Sequence, residues 1–189
     1  MWNARNMNQE ITILRHAETE IVSTTPIQDW HLTEDGTRRS QELAETGVFD
    51  HIEHIFTSNE YKAHYTALPI AERLGLKIVH VPTISELFRG SPLLSNEEYI
   101  SRVGMILSYP PKHVDGWEDP DEALSRFKNA IDEIAQKGDN ILVVSHGLVM
   151  SLYFSELLGL REMAFNRWKQ LKFLSWGIVT NGEVLKDIV

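Results

Sequence analysis

Two histidines in this chain stand where apolar strands give out. Ile11-Thr12-Ile13-Leu14 runs straight into Arg15 and His16, with Ala17, Glu18 and Thr19 behind them. Ile141-Leu142-Val143-Val144 likewise ends in Ser145, His146 and Gly147. One histidine after a strand is more often structural or merely exposed than catalytic. The pair is different, because a guanidinium precedes one ring, a glycine follows the other, and the helix expected nearby offers an N-terminus that favours negative charge. A guanidinium can hold two phosphate oxygens at once through its planar fork. These residue types point to a pocket for a phosphate, half of it at Arg15 and His16 and half brought from distant sequence.

Such a pocket needs both strands in one sheet, and the pattern of elements supplies it. Ile11 to Leu14 reads as a short buried strand. Thr33, ahead of Glu34 and Asp35, starts a helix that runs to about Thr46 before Gly47. His54 to Phe56 is a second strand. Thr57 and Glu60 have capping-box spacing for a helix burying Ala63, Ala67, Ile70, Ala71 and Leu74, stopped by Gly75. Lys77 to Val81 is a third strand. Ser95 with Glu98 caps a helix carrying Val103, Ile106 and Leu107, which Pro110 and Pro111 end. Asp119, Pro120 and Glu122 form the strongest helix start, with Ala123, Phe127, Ala130, Ile131 and Ile134 facing inward. Ile141 to Val144 has the all-apolar character of a central parallel strand, and an apolar helix from about Leu148 to Leu158 follows. Lys172 to Val179 and Glu183 to Val189 flank Thr180-Asn181-Gly182 as a hairpin. The alternation predicts an α/β fold, a three-layer α/β/α sandwich with a mostly parallel central sheet and antiparallel edge pairing. Both histidines then fall at the carboxyl ends of strands, where open α/β sheets bind ligands.

Composition sets the bounds. A chain of 189 residues, 42% apolar and 24% charged, fits a single domain spanning 1–189 with a sizeable core. The looser segment at 82–118 is the expected lid or specificity insert. Cysteine is absent, which excludes disulfides, thiolate metal sites and thiol nucleophiles. A formal charge of −9 argues against nonspecific nucleic-acid binding, so any anionic ligand needs a local positive pocket. No apolar run reaches membrane-spanning length, and the opening stretch MWNARNMNQE is polar. The expectation is a cytoplasmic protein with no nucleic-acid or membrane partner; its oligomeric state stays open.

LRHAET resembles the LRHGET-like signature of the histidine phosphatase superfamily, the phosphoglycerate-mutase-like proteins, and VVSHG resembles its second histidine motif. Between them, in order, HLTEDG is similar to the family's LT-acid-x-G helix start, and SNEYKAHYTA to its S-x-x-x-R-A-x-x-T-A helix. The resemblance runs from about Ile11 to the C-terminus. It implies that His16 is a nucleophile forming a phosphohistidine, that His146 donates to a nonbridging oxygen, and that Glu86 protonates the leaving oxygen, with Glu18 a weaker candidate for that acid. Arg15, Thr19, Lys62, Arg89 and Gly147 would bind the substrate, a small phosphorylated molecule, without metal or cofactor. Three departures matter. Lys62 stands in place of arginine and loses the planar fork, which Arg89 could restore. Ala17 replaces a glycine, and Val22 falls where many members carry a phosphate-contacting asparagine. A phosphatase, a phosphoglycerate-mutase-type phosphotransferase and a catalytically weak phospho-ligand binding module all fit these residues. His51 and His54 read as a solvated loop or helix end, Arg126 as a structural ion pair, and Trp117, Trp168 and Trp176 as buried packing more readily than a ligand wall.

Overall fold

The computed structural model describes residues 9–90 and 94–189. The polar stretch 1–8 and residues 91–93 of the expected insert lie outside the described residues. Six strands form one sheet: β1 (Ile11–Arg15), β2 (His54–Thr57), β3 (Ile78–His80), β4 (Ile141–Ser145), β5 (Trp176–Thr180) and β6 (Glu183–Lys186). Their order is β3-β2-β4-β1-β5-β6. β1, β2, β3 and β4 pair in parallel, while β5 and β6 complete the sheet antiparallel.

Alternation along the central strands assigns side chains to two cores. Ile13, Ile141 and Val143 face one cluster, whose helical side comes from α3 (Asn96–Ile106), α4 (Pro120–Ile134), α5 (Gly147–Leu157) and α6 (Ala164–Gln170). Leu14, Leu142 and Val144 face the other, covered by α1 (Glu34–Glu45) and α2 (Tyr61–Leu74). A strand with apolar side chains on both faces is stable only between two such layers, and β4 is buried along its whole length. The expected three-layer sandwich is the observed one. Among the described residues, no helix is long and apolar enough to cross a membrane.

Caps fix where helices begin. Thr33 accepts from the Gly36 N–H at 2.9 Å, Ser95 and Glu98 close a capping box, and Asp119 accepts from the Asp121 and Glu122 N–H groups. Gly36 must lack a side chain, since a Cβ there would fall on the Glu18 carbonyl oxygen and push α1 away from the loop behind His16. The box expected at Thr57 and Glu60 does not form. Thr57 is paired on both sides, with Val144 and His80, and Ser58 N–H still reaches Val144 O. The chain therefore stays extended and turns into α2 only after Glu60, which leaves the Glu60 carboxylate free for another task. The strand expected from Lys172 also starts late, at Trp176, because the preceding residues wrap Arg15 and Leu174 sits at φ 62°.

Candidate active site

The register of β1 on β4 brings the two histidines together. Arg15 pairs with Ser145, His16 N–H donates to Ser145 O at 2.9 Å, and the next residues emerge side by side. The ring centroids of His16 and His146 lie 5.2 Å apart. His16 Nδ1 is 2.7 Å from Ala17 O; a carbonyl only accepts, so Nδ1 carries the proton and Nε2 keeps its lone pair. His146 Nε2 is 2.7 Å from Ser58 Oγ and 3.2 Å from Glu60 Oε1. A carboxylate likewise only accepts, so here Nε2 carries the proton. His146 Nδ1 is buried and without a partner among the described residues.

Arg15 is held from several sides. Its Nη1 donates to Leu171 O at 2.5 Å and its Cζ lies 4.2 Å from the centre of the Phe173 ring. Gly147 acts here through the side chain it lacks: a Cβ would come within 3.2 Å of Arg15 Nε. Lys62 is not an ordinary exposed helix lysine. It is 3% exposed, and its Nζ donates to Ile27 O at 2.9 Å and to Glu60 Oε2 at 2.5 Å. The family-like position thus carries an internal ion pair. Arg89 lies over Tyr99, 5.0 Å from the ring centre, at the border of the pocket and an adjoining hollow.

Glu86 reaches the site from the segment before α3. Its Oε2 accepts from Leu148 N–H at 3.0 Å, and its Oε1 from Leu87 and Val149 N–H groups at 2.9 and 3.1 Å. The N-terminus of α5, expected to favour the ligand anion, already faces this carboxylate. Arg126 fixes the same segment by donating to Thr83 O and Ser85 O while its other nitrogens hold Glu118, the structural ion pair expected of it. The cavity, about 370 Å³, is lined by Arg15, His16, Lys62, Glu86, Arg89, Thr19 and Glu18. Trp117 and Trp168 also face it, whereas Trp176 packs on Phe49 on the far side of the sheet. Ala17 is fully buried with its N–H on Thr66 Oγ1, and Val22 lines only the adjoining hollow. Sequence reasoning missed Glu60, Ser58 and Phe173. The signal for Glu60 is an acid two residues before an unusual lysine, masked by its capping-box spacing from Thr57.

Burial pulls the pKa of both histidines well below 6.5, with His146, Arg15 and Lys62 adding to the effect at His16, and Lys62, Arg89, Arg15 and Arg126 at His146. Histidines of the unfolded chain take up protons below pH 6.5 while the folded ones resist. The unfolded state then binds more protons, so stability should be flat above that pH and fall as pH drops toward the depressed folded values. Urea midpoints at about pH 7.5 and about pH 5.5 measure this slope. His146→Gln should flatten it, and an unchanged slope would show that His146 titrates alike in both states.

The sequence model described as "Histidine phosphatase superfamily (branch 1)" matches residues 11–183. A relative from Yersinia enterocolitica named "Probable phosphoglycerate mutase GpmB" is 32% identical over 169 residues, covering 84% of this chain and 79% of the relative. Among solved structures, YhfR of Bacillus stearothermophilus superposes with a TM-score of 0.78 at 19% identity, covering 94% of each chain. A mycobacterial glucosyl-3-phosphoglycerate phosphatase in complex with VO3 gives 0.74 at 20% identity, covering 95% of this chain and 97% of that one.

Proposed function

The chain belongs to the histidine phosphatase superfamily, and from that premise we propose that it hydrolyses a small phosphomonoester through a phosphohistidine at His16. One observation carries the reading: His16 has its Nδ1 proton committed to Ala17 O and stays neutral by burial, which leaves the Nε2 lone pair among Arg15, Lys62 and His146. Nε2 attacks phosphorus as the bond to the ester oxygen breaks, and Glu86, carrying the proton it takes from water at the end of each cycle, gives it to that oxygen. A monoanionic phosphate ester brings the proton for His146 Nδ1: the dianion left behind offsets the burial and the cations that disfavour a charged ring, Glu60 balances it at Nε2, and the new Nδ1–H donates back to a nonbridging oxygen. Water then attacks phosphorus as the phosphorus–nitrogen bond breaks and its electron pair returns to His16 Nε2; Glu86 accepts the water's proton, and orthophosphate leaves. Arg15 and Lys62 supply the positive charge that offsets the phosphoryl oxygens throughout.

A phosphoglycerate-mutase-type transfer shares the first step, and the names of the sequence relatives favour it. It requires that the dephosphorylated product stay bound beside phospho-His16 through a second anionic group. Among the described residues the lining cations are Arg15, Lys62 and Arg89, and Lys62 is already paired with Glu60, so hydrolysis is the better fit. Incubation with an aryl phosphate in the presence and absence of 3-phosphoglycerate decides it. Free orthophosphate is the product expected in both, and phosphoryl transfer to the glycerate would overturn the hydrolase reading. A weak phospho-ligand module, suggested by the same ion pair, would bind phosphate without releasing product.

Glu86→Gln separates acid catalysis from anchoring. As an acid, Glu86 matters for poor leaving groups, so an alkyl ester should slow about 100-fold and a nitrophenyl ester far less. Equal slowing of both would reduce Glu86 to a clamp on the start of α5.

A further inference from the structure

From the walls of the cavity beyond its phosphate end, we infer that the alcohol part of the substrate is an uncharged, apolar or aromatic group; this rests on the phosphomonoesterase reading above. Phe173 lies 5.6 Å from the His16 ring, centre to centre, so the aromatic wall begins at the nucleophile itself. Tyr99 continues it, with Trp168 edge-on at 5.9 Å and Trp117 at 6.1 Å. Trp30 also lines the cavity, its Nε1 tied to Val22 O and Thr25 O at 3.1 Å each, which commits the indole's only donor within the protein. Ile21 stands at the same mouth 69% exposed. Phe173, Tyr99 and Trp168 are only half-buried although each carries a large apolar surface. A wall of this kind loses water contact when a flat apolar group enters.

Polar leaving groups find little there. Past Arg15, His16, Lys62 and Arg89, the polar side chains lining the cavity among the described residues are Glu18, Glu86, Thr19 and Asn96, with a single hydroxyl on Tyr99 and single indole N–H donors on Trp117 and Trp168. Two of these are carboxylates, which repel a second phosphate or a carboxylate on the substrate. A sugar would need several donors and acceptors where the wall offers indole and phenyl faces. Tyr99, Trp117 and Asn96 all come from the segment 82–118, which gives that segment the work of a specificity insert.

The test compares esters whose alcohols differ in apolar surface but little in basicity, so that leaving-group ability does not imitate recognition. For 2-phenylethyl phosphate against ethyl phosphate, kcat/KM should be higher by about 10- to 100-fold, the worth of one buried ring. Phenylethylphosphonate should outbind ethylphosphonate by a similar factor in calorimetry, a measurement that needs no turnover. Trp168→Ala should bring both ratios down several-fold. Ratios near one in the wild-type protein, or better turnover of 3-phosphoglycerate than of the phenylethyl ester, would overturn the inference. Hydrolysis without the preference would leave the phosphatase reading standing, whereas the binding preference without hydrolysis would leave the apolar site standing and remove the enzyme.

Discussion

His16→Ala is expected to lower phosphatase turnover by about ten-thousandfold or more and to abolish acid-labile labelling of the protein by a phosphate donor. The size follows from the division of labour in the pocket. On the proposed mechanism Arg15, Lys62 and His146 stabilise charge on the phosphoryl oxygens, while the attacking lone pair is that of His16 Nε2. Removing a nucleophile that acts together with its neighbours forfeits most of the joint effect, because the remaining groups then assist only direct attack by water. The variant should fold. Burying an imidazole among cations is costly, and His16 contributes one side-chain bond, to the carbonyl of the next residue. Retained phosphate binding with lost turnover, followed by calorimetry and by release of orthophosphate, would match this account. Undiminished turnover would place the chemistry elsewhere.

The sheet was legible because burial writes itself into residue type. Ile141 to Val144 is apolar at every position, as a strand covered on both faces must be. Arg15 and His16, or His146 and Gly147, then mark strand ends by breaking such a run. Position in the pocket was legible only where local sequence controls it. The tautomer of His16 depends on Ala17, its neighbour, but that of His146 depends on Ser58 and Glu60, which lie 88 and 86 residues away. Nothing local says that the Glu60 side chain turns inward. Its acid was read as a helix cap because helix starts favour acids, and the competing demand, β2 staying extended through Thr57, is a tertiary effect. Phe173 was hidden for the same reason. Read as part of a strand, it sits on a loop whose backbone is bound at both ends by Arg15, through Leu171 O and Ser175 O. The tryptophans show how far size alone carries: Trp117 and Trp168 do pack with the core, Trp117 to 7% exposure, but nothing local says that both also line the cavity.

The buried pair Glu60–Lys62 should dominate the stability of the site. Lys62→Met removes the cation and leaves the Glu60 carboxylate 7% exposed, facing His146 Nε2 and the Glu86 N–H at 2.8 Å. Breaking one side of a buried ion pair costs about 3–5 kcal/mol, because the remaining charge is neither solvated nor balanced. In a chain of this size that lowers the melting temperature by about 10 °C. Glu60→Gln alone should be milder, since its carbonyl oxygen still accepts from Lys62. Combining it with Lys62→Met should restore most of the lost stability, because the double variant buries no unpaired charge; a strictly additive double variant would show that the two side chains do not act on each other. The same pair also sets the charge felt by a ligand. Glu60→Gln leaves Lys62 uncompensated at the cavity wall and should tighten inhibition by inorganic phosphate several-fold, while Lys62→Met should weaken it. Lys62→Arg keeps the partners at Glu60 and Ile27 O and adds donors, so turnover should hold or rise while Lys62→Ala loses it. Equal turnover in the three proteins would place Lys62 outside the phosphate's reach, and the internal ion pair would then be its whole function.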